Sequence, residues 1–234
     1  METRLIVALD FSSKEEALRL VDELSDAVEY YKVGLELFSR EGREILRELS
    51  KRGKKVFLDL KYHDIPNTVK SAAKVAIEEG VWLYNLHALG GRRLMEEVSR
   101  FNREYAEKLG VNRPLVIAVT VLTSMEEEDL KELGIERKLE EEVLNLARLS
   151  KEAGLDGVVC SPREVKEVKE SLGSDFLTIT PGVRPSWAKK NDQKRVLTPK
   201  EAKELKTDYI VVGRPITRAP NPKEAALKIL KELL

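Results

Sequence analysis

The chain has 234 residues, of which 41 are basic and 41 acidic, so its formal net charge is zero. This balance excludes a global field that would attract nucleic acid or an anionic membrane surface. No apolar run approaches the roughly 20 residues of a membrane-spanning helix, and the first residues do not resemble a secretory leader. We therefore expect a cytoplasmic protein with no nucleic-acid partner and no membrane partner.

Short aliphatic runs alternate with amphipathic charged segments along the whole chain. The first run ends at Asp10, and Ser12 or Ser13 can cap the helix that follows. A later helix should stop at Gly53, and another should begin at Pro66, a favourable residue for a first helical turn. The predicted strands are the aliphatic runs at residues 4–10, 30–37, 55–61, 82–88, 114–122, 156–160, 176–182 and 209–213.

Near-continuous aliphatic strands, each followed by a helix, indicate a parallel sheet covered by helices. Eight such units predict an α/β fold, a TIM (β/α)8 barrel that forms a single domain over residues 1–234. The rival architecture is a doubly wound open sheet, which usually carries a glycine-rich turn after an early strand. The segment after the first run, ALDFSSKEE, contains no glycine, which favours the barrel.

Charged residues interrupt the third aliphatic run. Asp59 and Lys61 are two residues apart, so on an extended strand they share one face. Asp64 follows just before Ile65 and Pro66. A buried strand excludes ionised groups unless they are paired or used by a ligand, so the stretch is either a strand-end salt bridge or part of a site.

Barrel enzymes build their active sites at the carboxyl ends of the strands. The polar residues at these ends are Asp10, Lys32, Asp59, Lys61, His87, Thr120, Thr123, Ser161, Arg184 and Arg214. At the last two units glycine adjoins arginine, in PGVR and VGRP, which suits a phosphate because backbone amides and a guanidinium can approach the anion together. We predict phosphate binding there rather than surface ion pairing.

Three other residues receive structural interpretations. The single cysteine, Cys160, excludes an internal disulfide and lies in an apolar run, so we interpret it as a core residue rather than a nucleophile. His63 and His87 lack further histidines or carboxylates at metal-ligand spacing, so we interpret both as hydrogen-bonded structural histidines. We expect neither a metal nor a cofactor.

These motifs together resemble the orotidine 5'-phosphate decarboxylase family. DLKYHDIPNT fits the family pattern Asp-x-Lys-x-x-Asp-Ile-Pro, and ALDF, KVGLELF, NLHALGG, VTVLTS, TPGVRP and VVGRPIT fit it at other strands. The resemblance implies conversion of orotidine 5'-monophosphate to UMP and carbon dioxide in de novo pyrimidine biosynthesis.

Two alternatives stay open beside this resemblance. Metal-dependent phosphosugar decarboxylases and hexulose-phosphate synthases of the same superfamily share the Asp-x-Lys-x-x-Asp pattern. They typically place a metal-binding glutamate where this sequence has Lys32, and a cation there would repel magnesium. A barrel that only binds a nucleotide is the other alternative, and it would lack one of the charged residues at the third strand end.

The resemblance also implies roles for individual residues. Lys61 would protonate C6 of the pyrimidine, and Asp59 would lie near the departing carboxylate. Asp64, Ile65 and Thr68 would reach the site of a neighbouring subunit, so the functional unit would be a homodimer with shared active sites. The implied substrate-binding residues are Asp10 and Lys32 for the ribose, Thr123 for the base, and Arg184, Gln193, Gly213 and Arg214 for the phosphate.

The segment from Val183 to Val196 is polar and offers little that could pack in a core. A segment of this length inside a compact barrel is usually functional. We predict that it is a lid that carries Gln193 and closes over the site.

Overall fold

A computed structural model describes residues 2–188 and 197–234 of the chain. Within this part, parallel strands pair in chain order, and the last pairs with the first to close a barrel. The strands are β1 (Arg4–Ala8), β2 (Tyr30–Gly34), β3 (Lys55–Tyr62), β4 (Leu83–His87), β5 (Leu115–Val119), β6 (Gly157–Val159), β7 (Leu177–Thr180) and β8 (Tyr209–Val212). The predicted TIM barrel is confirmed, whereas the bounds 1–234 of its domain stay a prediction.

Helices follow the strands and cover the outside of the barrel. They are α1 (Lys14–Leu24), α2 (Leu35–Glu41), α3 (Arg43–Lys51), α4 (Pro66–Glu78), α5 (Gly91–Leu109), α6 (Glu127–Glu132), α7 (Leu139–Glu152), α8 (Val165–Leu172), α9 (Pro199–Glu204), α10 (Arg214–Thr217) and α11 (Pro222–Leu233). Among the described residues, no helix is both long enough and apolar enough to cross a membrane.

Local sequence signals predicted several helix ends correctly. Ser13 caps α1, because its Oγ accepts a hydrogen bond from the N–H of Glu16. Pro66 occupies the first turn of α4. The predicted strand over residues 30–37 is wrong at its end, because β2 stops at Gly34 and the following apolar residues belong to α2, which buries Leu37.

The barrel has an inner and an outer apolar layer. The outer layer packs the strands against the helices, and the inner layer contains Ile6, Ala8, Tyr30, Phe57, Leu83, Ile117, Ile179 and Val211. Tyr30, Trp82 and Tyr209 close the amino end of the barrel, with ring centroids 4.7 to 5.5 Å apart. The polar residues that the sequence singled out lie at the opposite, carboxyl end.

Gly157 in β6 lies too close to β7 to carry a side chain. An added Cβ would clash with the carbonyl oxygen of Leu177 and lie 2.8 Å from its carbonyl carbon. We expect Gly157→Ala to lower the free energy of unfolding by about 3 kcal/mol, because the strands must separate. Urea denaturation measures this loss.

Gly134→Ala is the matched control for that variant. Gly134 has a φ of +77°, and nothing lies within 4 Å of an added Cβ. Only backbone strain of about 1 kcal/mol opposes the substitution. Equal losses for the two variants would contradict a steric role for Gly157.

Candidate active site

Four charged side chains of alternating sign form one array at the carboxyl end of the barrel. Asp10 follows β1, Lys32 lies in β2, and Asp59 and Lys61 lie in β3. The Nζ of Lys32 lies 3.1 Å from Oδ1 of Asp10 and 3.3 Å from Oδ2 of Asp59. The Nζ of Lys61 lies 2.7 Å from Oδ1 of Asp59. Neighbouring parallel strands thus bring together four residues that the sequence had singled out.

Asp59 and Lys32 are the central pair of the array, and for each of them burial and the neighbouring charges shift the pKa in opposite directions. Burial alone would raise the pKa of Asp59, but the positive charges of Lys32 and Lys61, helped by hydrogen bonds, hold it below its ordinary value. Burial alone would lower the pKa of Lys32, but the charges of Asp59 and Asp10 raise it. Both groups are therefore ionised at neutral pH, each because the other is present.

The backbone of Lys61 departs from the extended conformation that the sequence predicts. Its φ is +51°, in the left-handed region that side-chain-bearing residues rarely adopt. The register between β3 and β4 also shifts between Leu58 and Tyr62. Lys61 therefore reaches Asp59 through a local distortion of the strand, at a conformational cost on the order of 1–3 kcal/mol.

Asn85 forms hydrogen bonds with both Asp59 and Lys61, although the sequence alone did not identify it as a site residue. Asn85 lies in β4 and is completely buried. Its Nδ2 donates a hydrogen bond of 2.8 Å to Oδ1 of Asp59, and its Oδ1 accepts one of 2.8 Å from the N–H of Lys61. The sequence contained one indication of this role. Asn85 is a polar residue within the aliphatic run WLYNLHA, and it lies two positions before His87, so both side chains share one face of the strand.

A cavity of about 220 Å³ opens beside Lys61. Its apolar lining includes Phe57, Val159, Ile179 and Val211, and its polar lining includes Lys32, Asp59, Lys61 and Thr123. The predicted Thr123 therefore lies at the same cavity as the charge array. An apolar floor below a charged rim suits a flat ring with polar substituents.

A second hollow adjoins the first and shares Lys32, Pro181 and Val211 with it. Its lining also contains Asp10, Gly182, Arg184, Gly213 and Arg214. The loops after β7 and β8 thus bring the two predicted arginines to the end of the array formed by Asp10 and Lys32. This concentration of positive charge suits an anionic ligand group.

Two predictions concern residues outside the described part of the chain. Gln193 lies there, as does the second half of the predicted lid over residues 183–196. Before that gap, Arg184 is buried, and its backbone N–H donates a hydrogen bond of 2.8 Å to the carbonyl of Leu197. The lid and the role of Gln193 stay predictions.

Asp64, Ile65 and Thr68 do not line either hollow of their own chain. All three are exposed, and Ile65 is 67% exposed despite its apolar side chain. Among the described residues, the carboxylate of Asp64 accepts a hydrogen bond only from the N–H of Ile65, at 2.6 Å. Their predicted contribution to a neighbouring subunit stays a prediction.

Cys160 and the two histidines lie near the site. Cys160 is completely buried, which confirms its interpretation as a core residue, and burial raises the pKa of its thiol. The ring centroids of His63 and His87 lie 5.3 Å apart. The buried Nδ1 of His87 has no hydrogen-bond partner among the described residues, so the interpretation of His87 as a hydrogen-bonded histidine is wrong. Burial lowers the pKa of His87, and electrostatic interaction with His63 and Lys61 adds to this effect. No group of three or more metal-ligating side chains occurs in the described ranges.

Comparison with known proteins places this site in a family. Residues 3–229 match the model of the orotidine 5'-phosphate decarboxylase / HUMPS family. The chain belongs to this family. A relative from Psychromonas ingrahamii named orotidine 5'-phosphate decarboxylase is 49% identical over 100% of this chain and 98% of its own length. The protein is thus an enzyme of the carboxy-lyase class.

Solved structures of family members agree with this assignment. The structure of orotidine 5'-phosphate decarboxylase from Lactobacillus acidophilus has a TM-score of 0.88 and 41% identity, and the match covers 99% of both chains. The structure of orotidine 5'-monophosphate decarboxylase from Methanocaldococcus jannaschii, complexed with inhibitor BMP, has a TM-score of 0.76 and 28% identity over 100% of this chain and 99% of that one.

Asp59→Asn should destabilise the folded barrel. The substitution leaves the ammonium groups of Lys32 and Lys61 without the carboxylate between them, and breaking a buried ion pair costs about 3 kcal/mol. Asp10→Asn is the matched control, because the Asp10 side chain is 56% exposed and the loss should stay below about 1 kcal/mol. Urea denaturation at neutral pH measures both, and equal losses would contradict the central place of Asp59.

The loss in Asp59→Asn should also depend on pH. Because folding lowers the pKa of Asp59, its ionised form stabilises the fold above the ordinary pKa of 3.8. This stabilisation disappears as the pH falls through the lower pKa of the folded state. The stability difference between wild type and variant should therefore be constant near neutral pH and shrink below pH 3.8, as denaturation across acidic buffers would measure.

Proposed function

We propose that this enzyme converts orotidine 5'-monophosphate to UMP and carbon dioxide, a step of de novo pyrimidine biosynthesis, in the cytoplasm. The observation that carries the proposal is the Lys61 ammonium, held 2.7 Å from a buried carboxylate at the rim of an apolar cavity. The names of relatives matched over nearly their full length support the same substrate.

The chemistry of the reaction explains why such a lysine is needed. Loss of carbon dioxide from C6 of the pyrimidine leaves a carbanion on a ring carbon that has no electron sink. An ammonium at this position can stabilise the negative charge as it develops and then donate a proton to it. In the proposed mechanism Lys61 is that donor, and Asp59 holds it in place beside the carboxylate that leaves.

The charge of the lysine alone is too small to account for an enzymic rate. Two unit charges about 4 Å apart at an effective dielectric near 20 interact by roughly 4 kcal/mol. Enzymes lower barriers by about 8 to 23 kcal/mol. The remainder must come from binding energy at groups distant from the reacting carbon, which orients the substrate and excludes water.

The two adjoining hollows match the parts of the proposed substrate. The pyrimidine would lie on the apolar floor beside Lys61, with Thr123 at its edge. The phosphate would lie in the second hollow, which Arg184, Gly213 and Arg214 line. Lys32 belongs to both hollows, so Lys32 and its partner Asp10 are suited to bind the ribose hydroxyls between them. Gln193 would add a further phosphate contact.

The metal-dependent members of the wider family are the second candidate. Lys32 argues against them, because its ammonium lies within 3.3 Å of both Asp10 and Asp59 and already neutralises the carboxylates that a metal would need. Turnover of orotidine 5'-monophosphate that persists in excess chelator supports the metal-free reaction. The remaining alternative is a barrel that binds a nucleotide without catalysis. It would lack one of the charged residues at the end of β3, but both Asp59 and Lys61 are present.

A homodimer with shared sites completes the proposal. Asp64, Ile65 and Thr68 form an exposed surface directly after β3, so they project beyond the strand that carries Asp59 and Lys61. An apolar residue as exposed as Ile65 suits a protein interface. In this arrangement the Asp64 carboxylate of one protomer approaches the Lys61 ammonium of its partner and helps to hold it in place.

Lys61→Ala tests the proposed reaction directly. We expect kcat for orotidine 5'-monophosphate to fall by at least about a thousandfold, because general acid catalysis is lost. Absorbance at the pyrimidine band measures turnover. Lys70→Ala is the control, since Lys70 pairs with Glu97 at 2.9 Å on the outer helices and should leave kcat unchanged. An inactive wild type, or an unaffected Lys61 variant, would overturn the proposal.

Mixing two inactive variants tests the shared sites. A heterodimer of Lys61→Ala and Asp64→Asn contains one doubly altered site and one intact site, so random exchange should restore about one quarter of wild-type activity. Lys61→Ala mixed with Asp59→Asn is the control, because both residues serve their own barrel and no intact site can form. Failure of the first mixture to recover activity, with exchange verified by mass spectrometry, would exclude the shared arrangement.

A further inference from the structure

We propose that Asn85 is a positioning residue that holds Lys61 and Asp59 in their reactive geometry. This inference rests on the proposed decarboxylation. Asn85 is not among the described residues that line the phosphate hollow. It acts through the two residues that it bonds, one by its backbone and one by its side chain.

The pairing between β3 and β4 is interrupted opposite Asn85. Leu58 pairs with Tyr84, and the next pair is Tyr62 with Leu86, so the three residues 59–61 of β3 lie opposite Asn85 alone. Regular ladder bonds cannot form across such a mismatch. The Asn85 side chain replaces them, because its Oδ1 accepts the hydrogen bond of the Lys61 N–H at 2.8 Å.

That hydrogen bond supports an unfavourable backbone conformation. Lys61 has a φ of +51°, which persists only where the surroundings determine it strongly. A part-buried N–H without an acceptor is unfavourable, so loss of the Asn85 oxygen would favour relaxation of this backbone. A change in that backbone would move the ammonium away from the cavity.

The other end of the same amide bonds to the carboxylate of Asp59. Nδ2 of Asn85 donates to Oδ1 of Asp59, which is the oxygen that also accepts from Nζ of Lys61. Lys32 contacts the second oxygen, Oδ2. The amide therefore fixes the orientation of the Asp59 carboxylate. This orientation in turn sets the position of the Lys61 ammonium that bonds to it.

The partners also determine the orientation of the amide. A backbone N–H requires an acceptor, and an ionised carboxylate requires a donor, so only one of the two amide orientations satisfies both. Replacement by a residue with a single function cannot reproduce both bonds. This two-sided requirement distinguishes Asn85 from a polar residue that only fills space.

Asn102 provides a matched control for the alternative that Asn85 is only a structural core residue. Asn102 is also completely buried, and it also uses both ends of its amide. Its Nδ2 donates to the carbonyl of Pro114 at 2.8 Å, and its Oδ1 accepts from the hydroxyl of Tyr84 at 3.2 Å. Neither contact involves the charge array, so Asn102 shares the structural role without the positioning role.

The experiment compares Asn85→Ala with Asn102→Ala in the full-length enzyme, with orotidine 5'-monophosphate as substrate. We expect kcat of Asn85→Ala to fall about a hundredfold, the order of loss that a misplacement near 1 Å produces. KM should change less than about threefold, because the phosphate and ribose contacts remain. Asn102→Ala should unfold at lower urea concentration and keep the wild-type kcat.

A pH profile adds a readout that a purely structural role would not change. The hydrogen bond from Asn85 helps to lower the pKa of Asp59, so its removal should shift the acid limb of kcat to higher pH. The acid limb of Asn102→Ala should match that of wild type. Asn85→Ser with Asn102→Ser repeats the comparison if Asn85→Ala does not fold.

The outcomes separate this inference from the proposed function. An active wild type together with a folded Asn85 variant of wild-type kcat and pH profile would overturn the positioning role and leave the decarboxylase assignment intact. Equal losses of kcat in the Asn85 and Asn102 variants would also overturn it. A wild type that does not turn over orotidine 5'-monophosphate would overturn the proposed function itself.

Discussion

The Asp59 carboxylate, held between two ammonium groups, is the interaction on which the arrangement of the site depends. Lys32 contacts one of its oxygens, and Lys61 and Asn85 contact the other. Isolated in the barrel, the buried charge of Asp59 or of Lys32 would be destabilising, whereas their neighbours lower the pKa of Asp59 and raise that of Lys32. The array is therefore cooperative, because each charged residue holds its neighbour in position.

The barrel makes this array possible by placing charged strand ends above an apolar interior. The rings of Tyr30, Trp82 and Tyr209 fill the amino end, and aliphatic side chains continue this layer up to the floor of the cavity. Parallel strands place all their carboxyl ends at the same rim, so residues far apart in the chain can share one site. The result is a low-dielectric floor under a charged rim, in which electrostatic interactions are stronger than in water.

The strained backbone at Lys61 is locally unfavourable, and packing elsewhere in the barrel compensates for it. An extended β3 would keep its ladder with β4 unbroken, but the register shift replaces ladder bonds with the single side chain of Asn85. Leu58 and Tyr84, the last regular pair before the distortion, are completely buried and anchor it on that side. Local irregularity of this kind is typical of functional positions in otherwise regular barrels.

The sequence by itself determined the repeating strands and helices, the helix starts near Ser13 and at Pro66, and the charged strand ends, because these depend on local periodicity and residue chemistry. It also placed Asp59 and Lys61 at one site through their spacing. Only the tertiary structure decided the end of β2 at Gly34, the left-handed backbone of Lys61 and the part played by Asn85. These features depend on the register between neighbouring strands, which arises from contacts between residues distant in the chain.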